Sequence, residues 1–502
     1  MPIVPRINNL GDIMSFQSIM QTSAGFPAWE AFKDGVTSFS NFLWSGPLTI
    51  LLLGTGLFLT IMTGAICLRR IPSSFKLLGE KGTGSEGEIT PFQALATALA
   101  ATVGTGNIAG VATAIGIGGP GAIFWMWVVA IVGVTTKYAE SLLAVQYRTK
   151  NSAGEVVGGP MYYIEEGMGK KFKWLAITFA CGALFAAFVT GNMIQSNSVA
   201  SAITSATRGM GGMENGVPTW ISGGVIALAT FAVIIGGIKS IGKVAARLVP
   251  TMAVLYIVVA LFVIIANWDQ IPYAFASIFH YAFTGSAAGG GFAGAAVIAA
   301  IRAGVARGLF SNEAGQGSAP MAHAAATVKD PVTQARIGML GTVIDTLIIC
   351  TMTALVILTA TGNYVDANGV ATVHAWQSSF ESAELTSIAF AETVPGGTWI
   401  IAIAMIVFAF TTVLGWSYYG ERALGYLFGI SNFLIFRLFW CGAVWLGAVQ
   451  EIDFIWRLGD VASAAMTAPN LIALLALSGI IVKLTKDYEK DGTSKLRDIS
   501  DH

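Results

Sequence analysis

Long apolar runs separated by short polar segments repeat along most of this chain of 502 residues. A helix needs about 20 mostly apolar residues to cross a lipid bilayer. Applied to the pattern, this rule predicts about eleven membrane spans, at 45–68, 90–116, 121–146, 174–206, 219–237, 246–266, 296–328, 333–360, 398–424, 432–449 and 462–482. The sequence therefore predicts an all-α, polytopic membrane protein.

The second predicted span contains a polar interruption, Val103-Gly104-Thr105-Gly106-Asn107, between two apolar stretches. Small residues of this kind serve either a close contact between membrane helices or a local unwinding of the helix. Unwound backbone at membrane depth is stable only where it is buried in protein or lines a cavity. Its free N–H groups then suit a carboxylate, and its free carbonyl groups suit a cation.

The seventh predicted span carries a second interruption between Phe310 and Pro320, which includes Glu313 and Gln316. Two alternatives are an ordinary cytoplasmic loop here and a break upstream at 289–294. If this span is broken as well, the two broken helices lie five spans apart. Broken helices at corresponding positions of two halves indicate the binding site of a transporter.

Five spans per half make the second half inverted relative to the first, because five is an odd number. The pattern thus predicts a five-plus-five inverted repeat preceded by one extra helix. The predicted segments are an N-terminal segment, the extra helix, the first repeat, an outer loop, the second repeat and a tail, at 1–44, 45–68, 90–266, 267–295, 296–482 and 483–502.

Composition supports the membrane assignment. Charged residues make up 11% of the chain and apolar residues 54%, whereas soluble domains carry about 25% charged residues. This composition argues against a soluble enzyme, a disordered chain and a nucleic-acid-binding protein, which needs a basic surface. Lys and Arg number 28, as do Asp and Glu, so net charge indicates no partner.

The basic residues nevertheless collect in every second connecting segment. These clusters comprise Arg69, Arg70, Lys76, Lys81, Arg148, Lys150, Lys170, Lys171, Lys173, Lys239, Lys243, Arg247, Lys329, Arg336, Lys483, Lys486, Lys490, Lys495 and Arg497. Cytoplasmic loops carry an excess of Lys and Arg. We therefore expect a lipid-embedded, multi-pass protein of the cell (inner) membrane, with the N-terminus outside and the C-terminus in the cytoplasm.

Polar side chains in other spans are candidates for the same site. Asn192 and Gln195 in the fourth span share a helical face, where amides bridge helices or bind a ligand. Thr411 and Thr412 in the ninth span offer oxygen ligands to a small alkali cation, or bond back to the preceding turn. Trp416, one turn later, is either core packing or a wall that limits the pocket. Replacing it with a smaller residue is predicted to admit larger ligands.

Three charged residues inside the spans have no assigned role. An intramembrane carboxylate such as Asp345 is by default a hypothesis for a functional site, with the coupled cation or Arg302 as its partner. Arg302 and Arg307 fall in the outer half of the seventh span, where an unpaired arginine is costly. The alternatives are that both line an outer vestibule or that the seventh span starts earlier in the sequence.

Other function classes lack their sequence requirements. A metal-ion carrier needs carboxylate and sulfur ligands at the breaks, and 104–107 supplies neither. A membrane enzyme needs a constellation such as H-E-x-x-H, and the four histidines are not spaced for it. A channel needs a filter of repeated carbonyls. We expect a carrier with no catalytic residues and no cofactor.

Two motifs resemble the alanine/glycine:cation symporter family, over about residues 45 to 485. They are Gly118-Gly119-Pro120-Gly121-Ala122-Ile123-Phe124-Trp125-Met126-Trp127 and Ala306-Arg307-Gly308-Leu309-Phe310-Ser311-Asn312-Glu313-Ala314-Gly315. The resemblance implies a LeuT-like fold of ten core helices after one extra helix, and uptake of alanine or glycine, usually driven by sodium. A further similarity at 324–331 favours the second break at 310–316 over 289–294.

The resemblance also implies roles for individual residues. The substrate carboxylate would be held by N–H groups of 104–106, and its ammonium by carbonyl groups of Phe310 and Ser311. The full set of substrate-site candidates is Gly104, Thr105, Gly106, Asn107, Asn192, Gln195, Phe310, Ser311, Thr412 and Trp416. The sodium-site candidates are Ala100, Val103, Phe408, Thr411 and Thr412. The expected mechanism is alternating access, with sodium as the coupling ion. Proton coupling through Asp345 or Glu313 is the main alternative, and an ion channel is the other.

Overall fold

The computed structural model describes residues 27–494 apart from 80–85, 209–213, 285–292, 367–368, 381, 430–431 and 451–452. Within these ranges, eight helices are long and apolar enough to cross a membrane, and three further apolar helices are shorter. The all-α, polytopic architecture predicted from the sequence is thereby confirmed.

The helices follow one another with short connections. In the first part of the chain they are α1 (Pro27–Ser45), α2 (Pro47–Met62), α3 (Pro91–Thr102), α4 (Ala109–Gly118), α5 (Gly121–Gln146), α6 (Lys170–Thr207), α7 (Thr219–Ile234), α8 (Gly237–Ala266) and α9 (Ile271–Thr284). In the second part they are α10 (Ala293–Asn312), α11 (Pro320–Ala324), α12 (Pro331–Thr359), α13 (Ser382–Ala391), α14 (Gly397–Phe428), α15 (Leu434–Val449), α16 (Asp453–Ala476) and α17 (Ser478–Asp491).

Smaller elements complete the fold. Short helical turns lie at Ile66–Arg69, Ile71–Ser74, Phe75–Gly79, Thr105–Asn107, Pro160–Tyr162, Tyr163–Met168, Trp268–Gln270 and Ala375–Gln377. Two antiparallel hairpins are formed by β1 (Thr149–Lys150) with β2 (Val156–Val157) and by β3 (Thr361–Val365) with β4 (Ala371–His374). Helices α6 and α12 each contain a wider, π-helical stretch, at Ala187–Met193 and Val343–Cys350.

Both predicted broken helices are broken. The second predicted span is divided into α3 and α4, and the seventh into α10 and α11. In the second break Glu313 has a φ of 54°, and Gly315 and Gly317 have φ values of 87° and 79°. A right-handed helix does not accommodate such residues, so the chain leaves the helix here. Of the rival break at 289–294, residues 289–292 lie outside the described ranges.

Each broken helix opens a series of five predicted spans. Helices α3 and α4, followed by α5, α6, α7 and α8, occupy the first predicted repeat. Helices α10 and α11, followed by α12, α14, α15 and α16, occupy the second, with the β3–β4 hairpin and α13 inserted after α12. The order of elements is the one that a five-plus-five repeat requires, and α2 precedes it as the extra helix.

One segment predicted to be an outer loop is largely helical. Residues 267–295 contain α9, in which Ala274, Ile278 and Ala282 are buried while Phe275 and Phe279 are exposed. This helix of 14 residues is too short to stand out as a membrane span in the sequence. Its apolar residues recur at helical spacing on a single buried face, the pattern of an amphipathic helix.

Glycine residues bring the helices of the core into backbone contact. A Cβ atom at Gly304 in α10 would lie 2.3 Å from the carbonyl oxygen of Ala122 in α5. One at Gly56 in α2 would lie 2.3 Å from a methyl carbon of Val132. Small residues at helix interfaces are typical of membrane proteins, because close packing there replaces the hydrophobic effect.

Candidate functional site

The first break is stabilised by an asparagine side chain. Helix α3 begins with a capping box, in which Thr90 and Gln93 exchange hydrogen bonds. It ends because the N–H of Gly104 donates to Oδ1 of Asn107, at 2.9 Å. In a continuing helix that N–H would bind the carbonyl group of Ala100. The carbonyl is thereby released from the helical hydrogen-bonding pattern.

The second break uses the same device. The N–H of Ala314 donates to Oδ1 of Asn312 at 2.9 Å, and so does not continue the helix toward the carbonyl of Phe310. Gln316 folds back and donates its side-chain N–H to the carbonyl of Leu309, at 3.1 Å. Both breaks therefore leave a backbone carbonyl without its ordinary helical donor, in a buried part of the protein.

The two breaks meet at Asp345 of α12. Its carboxylate accepts hydrogen bonds from Asn107 at 2.7 Å and from Ser311 at 2.7 Å, and Asn107 also donates to the Ser311 hydroxyl at 3.0 Å. Thr346 supplies a third donor to the carboxylate, at 2.7 Å. Arg302 is exposed while Asp345 is fully buried, so the predicted pairing of Asp345 with Arg302 is wrong.

A small cavity lies between the breaks and helices α6 and α14. Six predicted site residues line it, namely Gly104, Gly106, Gln195, Phe310, Thr412 and Trp416. Further lining residues were not among the predicted substrate-site residues, including Thr190, Glu313, Gln316 and Ser463. Glu313 and Gln316 had a visible signal, as polar residues inside a helix break. The volume is about 20 Å³, enough for one or two water molecules, so an amino acid enters only when the walls move.

Four of the predicted substrate-site residues lie outside the lining of this cavity. Thr105 donates its hydroxyl to Gln195 at 3.2 Å, and Asn107 and Ser311 join the breaks as described above. Asn192 donates to the carbonyl of Trp440 in α15 at 2.9 Å. It therefore bridges α6 and α15, which is one of the two roles expected for its amide. It lies in the π-helical stretch Ala187–Met193.

The end of α3 packs against α14 at Thr412, one of the predicted sodium ligands. A Cβ at Gly104 would lie 2.5 Å from the hydroxyl oxygen of Thr412, and one at Gly415 would lie 2.8 Å from Ala101. Thr411 and Thr412 both donate their hydroxyl hydrogens to the carbonyl of Phe408, at 2.9 and 3.1 Å. This is the bonding back to the preceding turn that was the alternative for both threonines. A hydroxyl that donates its hydrogen keeps its lone pairs, so the oxygen of Thr412 can still accept beside Gly104. Oxygen ligands of this kind suit a hard cation.

A vestibule of about 1170 Å³ lies above the cavity, on the side predicted to be extracellular. Thr105, Arg307 and Asp460 are among the residues that line it. Phe310 lines both spaces, and its ring lies 5.3 Å from that of Trp456. The phenyl ring therefore separates the vestibule from the cavity. Arg307 therefore lines an outer vestibule, as one of the alternatives from the sequence proposed.

Known proteins are similar to this one over nearly the whole length of the chain. The sequence profile described as "Sodium:alanine symporter family" matches residues 29–501. The "Sodium/alanine symporter AgcS" of Methanococcus maripaludis is 45% identical over 91% of this chain and 98% of that protein. The "Probable sodium/glutamine symporter GlnT" of Bacillus subtilis is 38% identical over 90% of this chain and 89% of that protein. The crystal structure of MhsT in complex with L-phenylalanine aligns with a TM-score of 0.46 and 15% identity, over 80% of this chain and 100% of that chain.

Proposed function

The chain belongs to the sodium:alanine symporter family, and from this premise we propose that it carries alanine or glycine into the cell together with sodium. Membership makes it a multi-pass membrane protein and an amino-acid:cation symporter rather than an enzyme. The single observation that carries the finer proposal is the meeting of two helix breaks at a cavity that also borders Thr412. Backbone groups there suit both ends of a zwitterion, and the threonine lies where a cation would bind.

The substrate would be held mainly by the main chain. The N–H of Gly104 is already bound to Asn107, so the N–H groups of Thr105 and Gly106 would hold the carboxylate. They lie at the start of the segment leading into α4, where the helix dipole favours an anion. The carbonyl groups of Phe310 and Ser311, at the end of α10, would accept the ammonium group. Gln195 and Trp416 would form the walls, and Trp416 would exclude large side chains.

Sodium would bind between α3 and α14. Its ligands would be the carbonyl oxygens of Ala100, Val103 and Phe408 with the hydroxyl oxygens of Thr411 and Thr412. Because the carbonyl of Ala100 is free only while Asn107 holds the N–H of Gly104, sodium would stabilise the broken form of the helix. That same form presents N–H groups to the substrate, so binding of the two is expected to be mutually favourable.

Transport would proceed by alternating access. With the N-terminus outside, the vestibule faces the exterior, and displacement of the Phe310 ring admits the substrate to the cavity. Moving one charge inward across 100 mV yields about 2.3 kcal/mol, which is about fiftyfold in accumulation before any ion gradient is counted.

Uptake of labelled alanine into proteoliposomes tests the proposal. An imposed inward sodium gradient is expected to drive accumulation, and unlabelled glycine is expected to compete. Uptake that ignores sodium would overturn the sodium assignment, and absence of alanine and glycine uptake would overturn the substrate assignment. Unlabelled glutamine serves as the size control.

Proton coupling is the second candidate, because two buried carboxyl groups lie at the breaks. Glu313 lines the cavity and Asp345 joins the broken segments. Uptake driven by a pH gradient in sodium-free buffer would favour this alternative. Its loss in Glu313→Gln or Asp345→Asn would identify the group that carries the proton.

A further inference from the structure

We propose that Glu313 sets the size limit of the substrate pocket by fixing the indole ring of Trp416. The inference rests on the proposed function, since it concerns which amino acids the pocket admits. In this reading Glu313 is a positioning residue that acts through Trp416.

The conformation of Glu313 already requires a reason. Its φ of 54° lies in the left-handed region, which is unfavourable for a residue with a side chain and readily adopted by glycine. Glycines take the other positive φ values of this break, at positions 315 and 317. A strained residue persists where the surrounding structure holds it, and such residues concentrate at functional sites. The contacts of the Glu313 side chain therefore have to hold this backbone conformation in place.

Besides its bond to Trp416, Glu313 is held by several hydrogen bonds, one of them from the N–H of Gln316 to its carbonyl at 3.2 Å. The buried Nζ of Lys137 in α5 donates to the backbone carbonyl of Glu313, at 3.2 Å. The hydroxyl of Ser318, on the far side of the break, donates to one carboxylate oxygen at 2.5 Å. The backbone N–H of Glu313 donates to the carbonyl of Leu309, at 3.0 Å. These contacts leave the second carboxylate oxygen directed at α14.

That second oxygen accepts a hydrogen bond from the indole Nε1–H of Trp416, at 3.0 Å. It is charge-assisted when Glu313 is ionised, and such bonds are stronger than those between neutral groups. Both side chains line the cavity and both are almost fully buried. The bond therefore joins α14 to the second break at the edge of the pocket.

The other neighbours of Trp416 hold its ring through apolar contacts. A Cβ at Gly191 would lie 2.2 Å from the ring, so the base of the ring rests directly on the backbone of α6. Tyr419 contacts the ring edge-on, with centroids 5.5 Å apart. These apolar contacts resist displacement but do not fix the direction of the N–H group. The hydrogen bond to Glu313 does so, and it thereby prevents the ring from turning away from a larger substrate.

The test measures competition by valine against labelled alanine in proteoliposomes. Glu313→Ala removes the acceptor and Trp416→Phe removes the donor while keeping an aromatic ring. Each is expected to lower the ratio of the inhibition constants of valine and alanine by about tenfold, the scale of discrimination by a hydrophobic pocket. Trp416→Phe also shortens the wall, so its ratio is expected to fall at least as far as that of Glu313→Ala. The double variant is expected to match Trp416→Phe, because without the indole N–H the carboxylate has no ring to hold.

Glu313→Gln is the conservative variant. Its amide oxygen still accepts from the indole, so the ratio is expected to remain within about twofold of that of the unmodified protein. Trp440→Phe is the matched control, since Trp440 is also buried and its indole nitrogen has no hydrogen-bond partner in the described structure. It is expected to leave the ratio unchanged. The inference is overturned if Glu313→Gln lowers the ratio as much as Glu313→Ala, or if Trp416→Phe leaves it unaltered.

A spectroscopic measurement separates this inference from the proposed function. In protein with ¹⁵N-labelled tryptophan, the indole N–H resonance of Trp416 is the one that Trp416→Phe removes. It is expected to shift upfield in Glu313→Ala and to stay near its position in Glu313→Gln. A resonance that is indifferent to Glu313→Ala would refute the hydrogen-bond step whatever the protein transports. Loss of alanine and glycine uptake in the unmodified protein would refute the proposed function instead.

Discussion

Asn107 and Asn312 are the residues whose side chains interrupt two apolar helices. Each side chain takes the N–H of a nearby residue and so stops the helix at a defined place. Asn107 also donates to Ser311 and to Asp345, which ties the two breaks to one another. The geometry of the site therefore depends on a few buried amide groups.

Asn107→Ala is expected to destabilise the protein by about 2–4 kcal/mol, because the N–H of Gly104 and an oxygen of Asp345 would both lose a partner in the core. Asn192→Ala is the control: it removes the hydrogen bond to the carbonyl of Trp440 and is expected to cost about 1 kcal/mol. Thermal unfolding in detergent measures both. Equal losses for the two variants would show that the bonds of Asn107 are not special.

Thr412 offers a test of the proposed sodium site. Thr412→Val keeps the shape of the side chain but removes the hydroxyl oxygen, so the half-saturating sodium concentration is expected to rise about tenfold or more. Thr190→Val is the matched control, since Thr190 also lines the cavity and bonds back to the carbonyl of Ala186 at 2.9 Å. Sodium dependence of alanine uptake is the readout. An unchanged sodium requirement in Thr412→Val would contradict the proposed ligand.

Sequence reasoning reached the breaks but not every side chain around them. Glycine and asparagine inside an apolar run indicate an unwound helix. Gly104, Gly106 and Asn107 were therefore identified from the local sequence pattern. The direction of a side chain depends on helix rotation and on local widening of the helix. For Asn192 the sequence left bridging and ligand binding open, and its bond to the carbonyl of Trp440 is a bridge between helices.

At the scale of helices, backbone contact through glycine sets how closely neighbours lie. Helix α5 contacts α10 where Gly304 meets the carbonyl of Ala122. Composition showed that glycine is abundant, with 59 residues. It did not show which of them face a neighbouring helix, because that depends on the rotation of each helix about its axis.

Gly304→Ala is therefore expected to destabilise the protein by about 2–3 kcal/mol, because the added methyl group would overlap the Ala122 carbonyl and force the helices apart. Gly224→Ala in α7 is the matched control. Nothing lies within 4 Å of a Cβ there, and the change is expected to stabilise that helix by up to about 1 kcal/mol. Unfolding midpoints of the two variants should move in opposite directions. A neutral Gly304→Ala would contradict the tight contact.

At the scale of the whole molecule, an ion pair joins the two halves on the predicted cytoplasmic side. Glu155, in the β1–β2 connection of the first half, lies 3.0 Å from Arg422 near the end of α14 in the second. Arg422 is buried and also contacts the rings of Tyr418 and Phe433, at 5.0 Å each. Glu421 beside it pairs with Arg437 of α15, at 2.6 Å.

This pair predicts a specific dependence of stability on pH. Burial opposes ionisation of Glu155, but the charge and hydrogen bond of Arg422 outweigh it, so the pKa of Glu155 lies below its ordinary value of 4.5. A lowered folded-state pKa contributes stability above the ordinary value, and that contribution is lost as pH falls through the folded-state pKa. Glu155 is partly exposed, so the contribution is about 1 kcal/mol or less.

Thermal unfolding between pH 6 and pH 3 measures the effect. The unmodified protein is expected to lose stability more steeply below about pH 4.5 than Glu155→Gln, which lacks the titrating group. Glu86→Gln, in an exposed pair with Lys150, is the control and is expected to follow the unmodified protein. Identical pH profiles for Glu155→Gln and the unmodified protein would show that the pair does not contribute.

The order of the spans could be predicted from the sequence, because lipid requires long apolar helices and the two breaks interrupt them at corresponding places. Helix α9 and the β3–β4 hairpin could not be predicted, since they are too short to form the long apolar run of a membrane span. The tie between Glu155 and Arg422 was also beyond reach, because 267 positions separate the two residues and only folding brings them together.

The freed backbone groups at the two breaks have a consequence for how this family can diversify. A main-chain N–H or carbonyl is present whatever side chain a codon specifies, so the groups proposed to hold the amino-acid head persist through most point mutations. The groups proposed to limit substrate size, Trp416 and Glu313, are side chains that one nucleotide change replaces. A lineage can therefore acquire a new substrate by altering the wall of the pocket, while retaining the means to bind an amino acid at every intermediate step.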